Sequence, residues 1–255
     1  MPLTSNPARA LVFVNGDCEP LTLTRCAPLA ADFILCVDGG LRHCLAADLQ
    51  PDLLVGDLDS ASTTELDSLR ERGVEIQRWP VRKDATDLEL ALDALVQLQQ
   101  REQIAEVVML GMAGGRLDQS LANILQLTRV QWPFEISLLT PEGDAWLLQG
   151  PRQWQQSLAP GTLVSLLALG AGSASAATAS GLELDHNHND CTGVCTTGLE
   201  YPLHNGTLQL GSSLGLSNVV AASADTDAAE VSVTLQRGNL LLIVNPADPD
   251  QESVL

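Results

Sequence analysis

Asp57 and Asp59 stand one residue apart, just past the apolar run Leu53-Leu54-Val55, in the stretch PDLLVGDLDS (residues 51–60). In extended chain, residues i and i+2 point to the same side, so both carboxylates are expected to face one spot at the tip of a buried strand. Two like charges about 6 Å apart repel by about 3 kcal/mol at an effective dielectric of about 20. A cation between them removes that penalty, and oxygen-only ligands suit Mg²⁺. The same residues also read as a strand that runs into an acidic turn, since Asp and Ser are common turn formers.

Two further motifs bear on that choice. KDATD (83–87) puts Lys83 and Asp84 just before a capping box, Thr86-Asp87-Leu88-Glu89, and Asp87 in the first helical turn. A carboxylate at that place is also favoured by the helix dipole, which is a purely structural reason for Asp87 but not for Lys83 or Asp84. GMAGGRLD (111–118) is a glycine-rich turn that leads into a helix. Glycines let a ligand approach the backbone, helix N-terminal N–H groups attract phosphate, and Arg116 adds a forked cation. Neither a P-loop (GxxxxGK[ST]) nor a GxGxxG dinucleotide fingerprint occurs. Together Asp57, Asp59, Asp84 and Asp87 offer a carboxylate cluster for Mg²⁺, with Lys83, Arg116 and the glycine-rich turn as phosphate contacts. That set suits transfer from a magnesium–nucleotide, where catalysis is mostly positioning and charge neutralisation.

The elements that must hold these residues have a repeated grammar. Apolar runs of strand length, Ala10–Val14, Phe33–Val37, Leu53–Val55, Val74–Trp79, Val107–Leu110 and Ile136–Leu139, end in small or acidic residues. Helical patterns separate several of them. Ser62-Thr63-Thr64-Glu65 is a capping box for a helix that stops near Gly73. The helix opened by Thr86 carries Leu88, Ala91, Leu92, Leu95 and Leu98 at helical spacing. A third helix is predicted over Leu117 to Arg129. Strands apolar on both faces and alternating with helices indicate a parallel sheet covered on both sides. Its C-terminal strand ends would bring Asn15-Gly16-Asp17, Asp38-Gly39-Gly40, Gly56–Asp59, Lys83–Asp87 and Gly111–Asp118 to one edge, where open α/β sheets bind ligands.

From about Ala145 the helical spacing fades. The runs Thr162–Leu169, Leu199–Leu203, Thr207–Leu210, Val231–Leu235 and Leu240–Val244 read as strands. Asn205-Gly206 predicts a two-residue hairpin, and Arg237-Gly238-Asn239 a second one. The expected architecture is an α/β N-terminal domain with a parallel, Rossmann-like three-layer sheet, followed by an all-β sandwich or jelly-roll-like C-terminal domain. Pro141-Glu142-Gly143 is the expected crossing point. Asp185–Cys191 and Cys195 hold two His and two Cys, but the spacing His186-x-His188-x₂-Cys191-x₃-Cys195 matches no familiar zinc knuckle, and an exposed polar loop is the preferred reading.

Composition limits the partners. The chain has 255 residues with 13 Lys and Arg against 32 Asp and Glu, a formal charge of −19, which argues against nucleic acid or an anionic membrane as partner. No apolar stretch reaches the roughly 18 residues that a spanning helix needs. The six cysteines, with no charged leader and apolar run ahead of them, read as reduced thiols of a cytoplasmic protein.

DGG (38–40), PDLLVGDLDS (51–60), KDATDLE (83–89) and GMAGGRLDQSLAN (111–123), followed by GLEYPL (198–203) and LSN (216–218), resemble thiamine pyrophosphokinases in type and order. The resemblance implies transfer of a diphosphoryl group from ATP to thiamine, giving thiamine diphosphate and AMP, by a homodimer with an ATP-binding catalytic domain (1–142) and a thiamine-binding β-sandwich domain (143–255). It implies that Asp57, Asp59 and Asp87 hold Mg²⁺ and the ATP phosphates, supported by Asp84 and Lys83. Asp38, Arg116, Asp118, Gln119 and Asn123 would line the nucleotide pocket. Tyr201, Ser217 and Asn218 would contact thiamine. The chain departs from the family pattern at Gln119, where many relatives carry a titratable His, and at Tyr201, where Trp is usual. Tyr201 and the unusual His/Cys loop leave open a related diphosphokinase for another hydroxymethyl heterocycle, such as a pterin; a non-catalytic nucleotide or metabolite binder on the same scaffold is the third reading.

Overall fold

The computed structural model describes residues 8–59, 62–80, 85–170, 189–222 and 228–246. They fall into two compact units, Met1–Gln126 with Trp132–Pro141, and Leu127–Gln131 with Glu142–Leu255.

In the first unit, β1 (Ala8–Phe13), β2 (Phe33–Val37), β3 (Leu53–Gly56), β4 (Glu75–Arg78), β5 (Ile104–Leu110) and β6 (Glu135–Leu139) lie in the order β6-β5-β1-β2-β3-β4. Every neighbouring pair is parallel. The apolar runs sit where both sheet faces are covered. Leu11, Phe13, Ile34, Cys36, Leu54, Val108 and Leu110 form one buried layer with residues of α1 (Pro20–Cys26), α2 (Leu41–Ala46) and α3 (Thr63–Glu71). α4 (Asp87–Glu102) lies against β2, β3 and β5 and buries Leu88, Ala91, Leu92 and Leu95. The sheet therefore has helices on both faces, as the alternating pattern requires.

Both capping boxes form their N-cap bond. Ser62 Oγ accepts from the Glu65 N–H at 3.2 Å, and Thr86 Oγ1 from the Glu89 N–H at 3.1 Å. Gly73 follows α3 with φ +88°, a conformation that a side chain resists. α1 and α2 escaped the sequence pattern because they have only seven and six residues and no side-chain cap. α5 (Leu117–Gln126) stops three residues before the predicted Arg129. Leu127, fully buried, already belongs to the second unit.

The second unit is a sandwich. β7 (Asp144–Gln149), β9 (Leu163–Gly170), β12 (Asn218–Val219) and β14 (Asn239–Asn245) pair antiparallel as β12-β9-β14-β7. β8 (Arg152–Leu158), β10 (Cys191–Thr197), β11 (Gly206–Leu208) and β13 (Ala229–Leu235) pair as β11-β10-β13-β8. Leu148, Val164, Leu166, Leu240 and Leu242 of the first sheet meet Val194, Leu208, Val231, Val233 and Leu235 of the second in one core.

Three local expectations in this half are overturned: the Asn205-Gly206 hairpin, the strand over Leu199–Leu203 and the Arg237-Gly238-Asn239 hairpin. Asn205-Gly206 does not close a two-residue hairpin: residues 198–205 form the connection from β10 to β11, and Leu199 makes only an isolated bridge to Val220. The stretch folds back on β10 instead, with Thr196 N–H donating to the Leu203 carbonyl at 2.9 Å and Leu203 N–H to Thr196 Oγ1 at 2.8 Å. Pro202 has no N–H to continue a ladder there. Arg237-Gly238-Asn239 is not a hairpin turn either. β13 pairs with β8 and β10, whereas β14 pairs with β7 and β9, so the chain changes sheets at this point.

Candidate active site

Chain order runs outward from β1 through β2, β3 and β4 on one side, and from β5 to β6 on the other. The reversal lies between β1 and β5, and a ligand cleft is expected outside the strand ends at such a point. A cleft of about 790 Å³ lies there. Its walls come from the turns after β1, β2, β3 and β5, the start of α4, and one side of α5.

The turns are locked together by backbone. Val14 N–H donates to the Leu110 carbonyl at 2.8 Å, Gly16 N–H to Gly111 at 2.8 Å, and Asp17 N–H to Ala113 at 2.7 Å. A Cβ on Gly16 would stand 2.1 Å from the Ala113 oxygen, and one on Gly40 would stand 2.1 Å from the Phe13 oxygen. Glycine is required at both because backbone meets backbone.

The carboxylates gather differently from the strand-tip picture. Asp57 and Asp59 lie beyond β3, and the Asp57 carboxylate accepts the Asp59 N–H at 3.1 Å. Leu58, between them, takes φ +55° and is only 2 % exposed. Burying Leu58 bends the chain into a local Asx-type turn in place of extended strand. The two acids nevertheless stay together, and Asp38 joins them: one ligand oxygen from each of Asp38, Asp57 and Asp59 lies within 4.8 Å of the others. Burial pushes the Asp38 carboxyl pKa up, the Gly39 N–H opposes this, and the charges of Asp57, Asp87 and Asp59 add to the rise. Asp38 Oδ1 is buried and has no hydrogen-bond partner among the described residues. A buried, unpartnered oxygen amid converging carboxylates is what a hard divalent cation such as Mg²⁺ would satisfy. Asp87 lines the same cleft from the first turn of α4, outside that 4.8 Å group. Lys83 and Asp84 lie outside the described residues.

Across the cleft, Gly114 and Gly115 take φ +105° and +70° and lead into α5. Arg116 grips Asp118 with both arms, Nε to Oδ1 at 3.1 Å and Nη2 to Oδ2 at 2.5 Å, and this pairing lowers the Asp118 pKa. Gln119, Asn123 and Gln126 line the cleft at helical spacing. Asn123 Nδ2 donates to the Met112 carbonyl at 2.9 Å, which ties α5 to the turn. Thr86 Oγ1 donates to Gln126 Oε1 at 3.1 Å, which ties α5 to the cap of α4. Gln126 and Ser120 were missed from sequence. The i, i+4, i+7 row from Gln119 was the signal that could have found Gln126.

The second unit has its own hollow of about 530 Å³, lined by Leu166, Tyr201, Leu203, Leu214, Leu216 and Asn218 among others. Tyr201 is 71 % exposed, so it is not part of the β core. Asn218 is buried and bonded to the Tyr201 backbone. Ser217 takes φ +53°, and its N–H donates to Ser165 Oγ at 3.0 Å. Of the His/Cys group, His186 and His188 lie outside the described residues. Cys191 is fully buried and donates to the Asn239 carbonyl at 3.1 Å, and burial pushes its thiol up to about 12. Cys195 Sγ accepts the Asn205 N–H at 3.2 Å.

Comparison with known proteins gives a consistent picture. The family model described as "Thiamin pyrophosphokinase, catalytic domain" matches residues 29–138, and "Thiamin pyrophosphokinase, vitamin B1 binding domain" matches residues 186–240. A thiamine pyrophosphokinase of Bacillus subtilis is 28 % identical over 191 residues, 74 % of this chain and 79 % of the relative. Its crystal structure superposes with a TM-score of 0.69 at 23 % identity, covering 94 % of this chain and 99 % of that one. The thiamin pyrophosphokinase of Geobacillus thermodenitrificans gives 0.66 at 22 % identity (95 % and 99 % covered). That of Candida albicans gives 0.64 at 16 % (93 % and 90 % covered). At these identities the superpositions speak for the fold.

Proposed function

The chain belongs to the thiamine pyrophosphokinase family of diphosphotransferases, and from that premise we propose that it moves a diphosphoryl group from ATP to the hydroxyethyl oxygen of thiamine, releasing AMP. The observation that carries this reading is the convergence of Asp38, Asp57 and Asp59 within 4.8 Å in the cleft that also holds Arg116 and the glycine-rich turn.

Asp38, Asp57 and Asp59 would hold Mg²⁺, with Asp87 facing the same charge; when bound, the ion would offset charge on the phosphates. Arg116 is already arranged as a fork and exchanges the Asp118 carboxylate for phosphate oxygens of similar geometry. Backbone N–H groups at the glycine-rich turn and the start of α5 add fixed positive dipole. A cleft carboxylate accepts the proton as the thiamine hydroxyl attacks the β-phosphorus in line. Thiamine is assigned to the hollow beside Tyr201, Ser217 and Asn218, where an exposed aromatic face attracts a thiazolium. In this reading residues 1–142 are the nucleotide domain and residues 143–255 the thiamine domain, with Gln119, Asp118 and Asn123 shaping the nucleotide pocket and Lys83 and Asp84 supporting it.

We also propose a homodimer. α5 carries Leu117, Leu121 and Leu125 on one face, 76 %, 53 % and 58 % exposed, an apolar stripe suited to a protein partner. Six free thiols favour a reducing, cytoplasmic setting. Among the described residues no helix is long and apolar enough to cross a membrane.

Incubation with Mg-ATP and thiamine, followed by mass detection, tests the reaction. Thiamine diphosphate and AMP in equal amounts are expected; ADP in place of AMP excludes diphosphoryl transfer. Asp57→Asn and Asp87→Asn are expected to lose most activity with folded circular dichroism spectra, and chelation of divalent ions is expected to abolish turnover.

A further inference from the structure

His43 lies on α2, outside the motifs that marked the cleft. Its Nε2 sits 2.8 Å from the Gly16 carbonyl oxygen. A carbonyl can only accept, so Nε2 carries the hydrogen and donates. Next to it, Arg42 Nη2 donates to the Asn15 carbonyl at 3.0 Å and reaches the Gly16 carbonyl at 3.4 Å. The other side of the same residue is held too: Gly16 N–H donates to the Gly111 carbonyl, and the space where a Cβ would stand is filled by Ala113 and Gly111 oxygens. Gly16 is therefore bonded on one flank to the glycine-rich turn and on the other to α2.

α2 follows directly on the short 3-10 turn Asp38–Gly40, and that turn begins with the carboxylate Asp38. Gly39 in it packs on the Asn15 side chain, with a would-be Cβ only 2.4 Å from Asn15 Oδ1. A continuous run of contacts thus links the phosphate-binding turn after β5 to the carboxylate after β2, through the β1 turn and His43. Burial of the ring lowers the His43 pKa, and so does Arg42; the Gly16 carbonyl and Asp17 act the other way.

We infer that His43 is a positioning residue for the nucleotide half of the reaction: through the Gly16 carbonyl it sets the spacing between the glycine-rich turn and Asp38. Its side chain does not line the cleft. The inference rests on the proposed use of ATP, and its consequence is confined to that substrate. Loss of the bond loosens the cleft for the triphosphate and leaves the Tyr201 hollow unchanged. Arg42, largely exposed, cannot replace it with a contact of 3.4 Å to Gly16.

The test is steady-state kinetics of the full-length protein and three variants, with Mg-ATP and thiamine varied separately and melting temperature recorded. His43→Leu removes the donor. Glutamine places its Nε2 at the same number of bonds from Cβ as the ring nitrogen, so His43→Gln keeps the donor. His43→Asn is too short to reach. The expected result is a KM for Mg-ATP raised about tenfold in His43→Leu and His43→Asn, the scale of one lost hydrogen bond, with the KM for thiamine unchanged. His43→Gln is expected within about twofold of the parent, the noise of one near-isosteric contact. If His43→Leu does not fold, the Gln and Asn pair makes the same comparison. Equal impairment of Gln and Leu (or Asn) variants, an unchanged Mg-ATP KM, or a parallel rise in thiamine KM overturns the inference. Should the parent protein not turn over, the ATP reading fails by that result alone. Calorimetric titration with Mg-ATP then decides on His43 by the same order of variants, and a parent that binds no Mg-ATP overturns both.

Discussion

Asn218 holds the peptide of Tyr201 by both its polar ends: its Oδ1 accepts the Tyr201 N–H at 3.1 Å, and its Nδ2 donates to the Tyr201 carbonyl at 2.7 Å. The buried amide thereby fixes an exposed aromatic residue at the edge of the second hollow. Asn218→Ala leaves both backbone groups unsatisfied and is expected to cost about 2 kcal/mol. The KM for thiamine should rise several-fold while that for ATP stays put. Thermal melts and separate substrate titrations check both parts; equal changes in the two KM values would remove the proposed link between Asn218 and thiamine binding in the second hollow.

Two glycines separate steric from conformational need. Gly16→Ala drives a methyl group to 2.1 Å from the Ala113 oxygen, so the glycine-rich turn must move. A cost of about 1–3 kcal/mol and a raised ATP KM are expected. Gly73 has φ +88° but nothing within 4 Å of a Cβ. Gly73→Ala should cost about 1–2 kcal/mol of stability with kinetics unchanged. Melting temperature and ATP titration of the two variants decide the matter.

Ser62 and Thr86 perform the same capping bond on α3 and α4, at 3.2 and 3.1 Å. Each change to alanine is expected to destabilise by about 1 kcal/mol. Only Thr86 also lines the cleft and donates to Gln126. Thr86→Ala should therefore weaken ATP binding as well, and Ser62→Ala should not. Direct binding of Mg-ATP to both variants is the measurement.

Alkaline pH should weaken the fold through Cys26. Burial pushes its thiol up from the ordinary 9.0 to about 11, with the Arg9 charge opposing. The folded pKa is the higher one, so the unfolded chain loses its proton first. Stability is whole below pH 9, falls as pH rises, and the contribution is gone above about 11. Cys26→Ala should flatten that slope in urea titrations between pH 8.5 and 11. A slope unchanged in the variant would assign it elsewhere.

Legibility followed the range of the interaction. The capping boxes were read from four adjacent residues, and their side-chain bonds are local. Strands β1, β2, β3, β5 and β6 were readable because most of each run is apolar and buried, whereas in the edge strand β4 (Glu75–Arg78) only Ile76 is apolar and no residue is fully buried. The cleft was legible as a set of strand ends, since a parallel sheet brings them to one edge whatever the strand order. α1 and α2 were not legible, because a helix of six or seven residues has too few turns for a periodic stripe. The Asn205-Gly206 signal misled: Thr196 and Leu203 bond to each other ahead of it, and Gly206 pairs with Val194 at the far side of the 198–205 connection.

By itself the sequence determined the candidate residues of the cleft and the family: the acids after β2 and β3 and at the head of α4, Arg116 with its glycines, and the motif order shared with thiamine pyrophosphokinases. Only the tertiary structure decided which acids meet. Asp38 joins Asp57 and Asp59 because β2 and β3 are neighbours in the sheet, and Leu58 turns inward to bury its side chain. It also decided that Asn218 serves Tyr201 and that His43 serves Gly16. Those bonds join residues 17 and 27 positions apart, and no local spacing encodes a contact that exists only once the sheet order has been set.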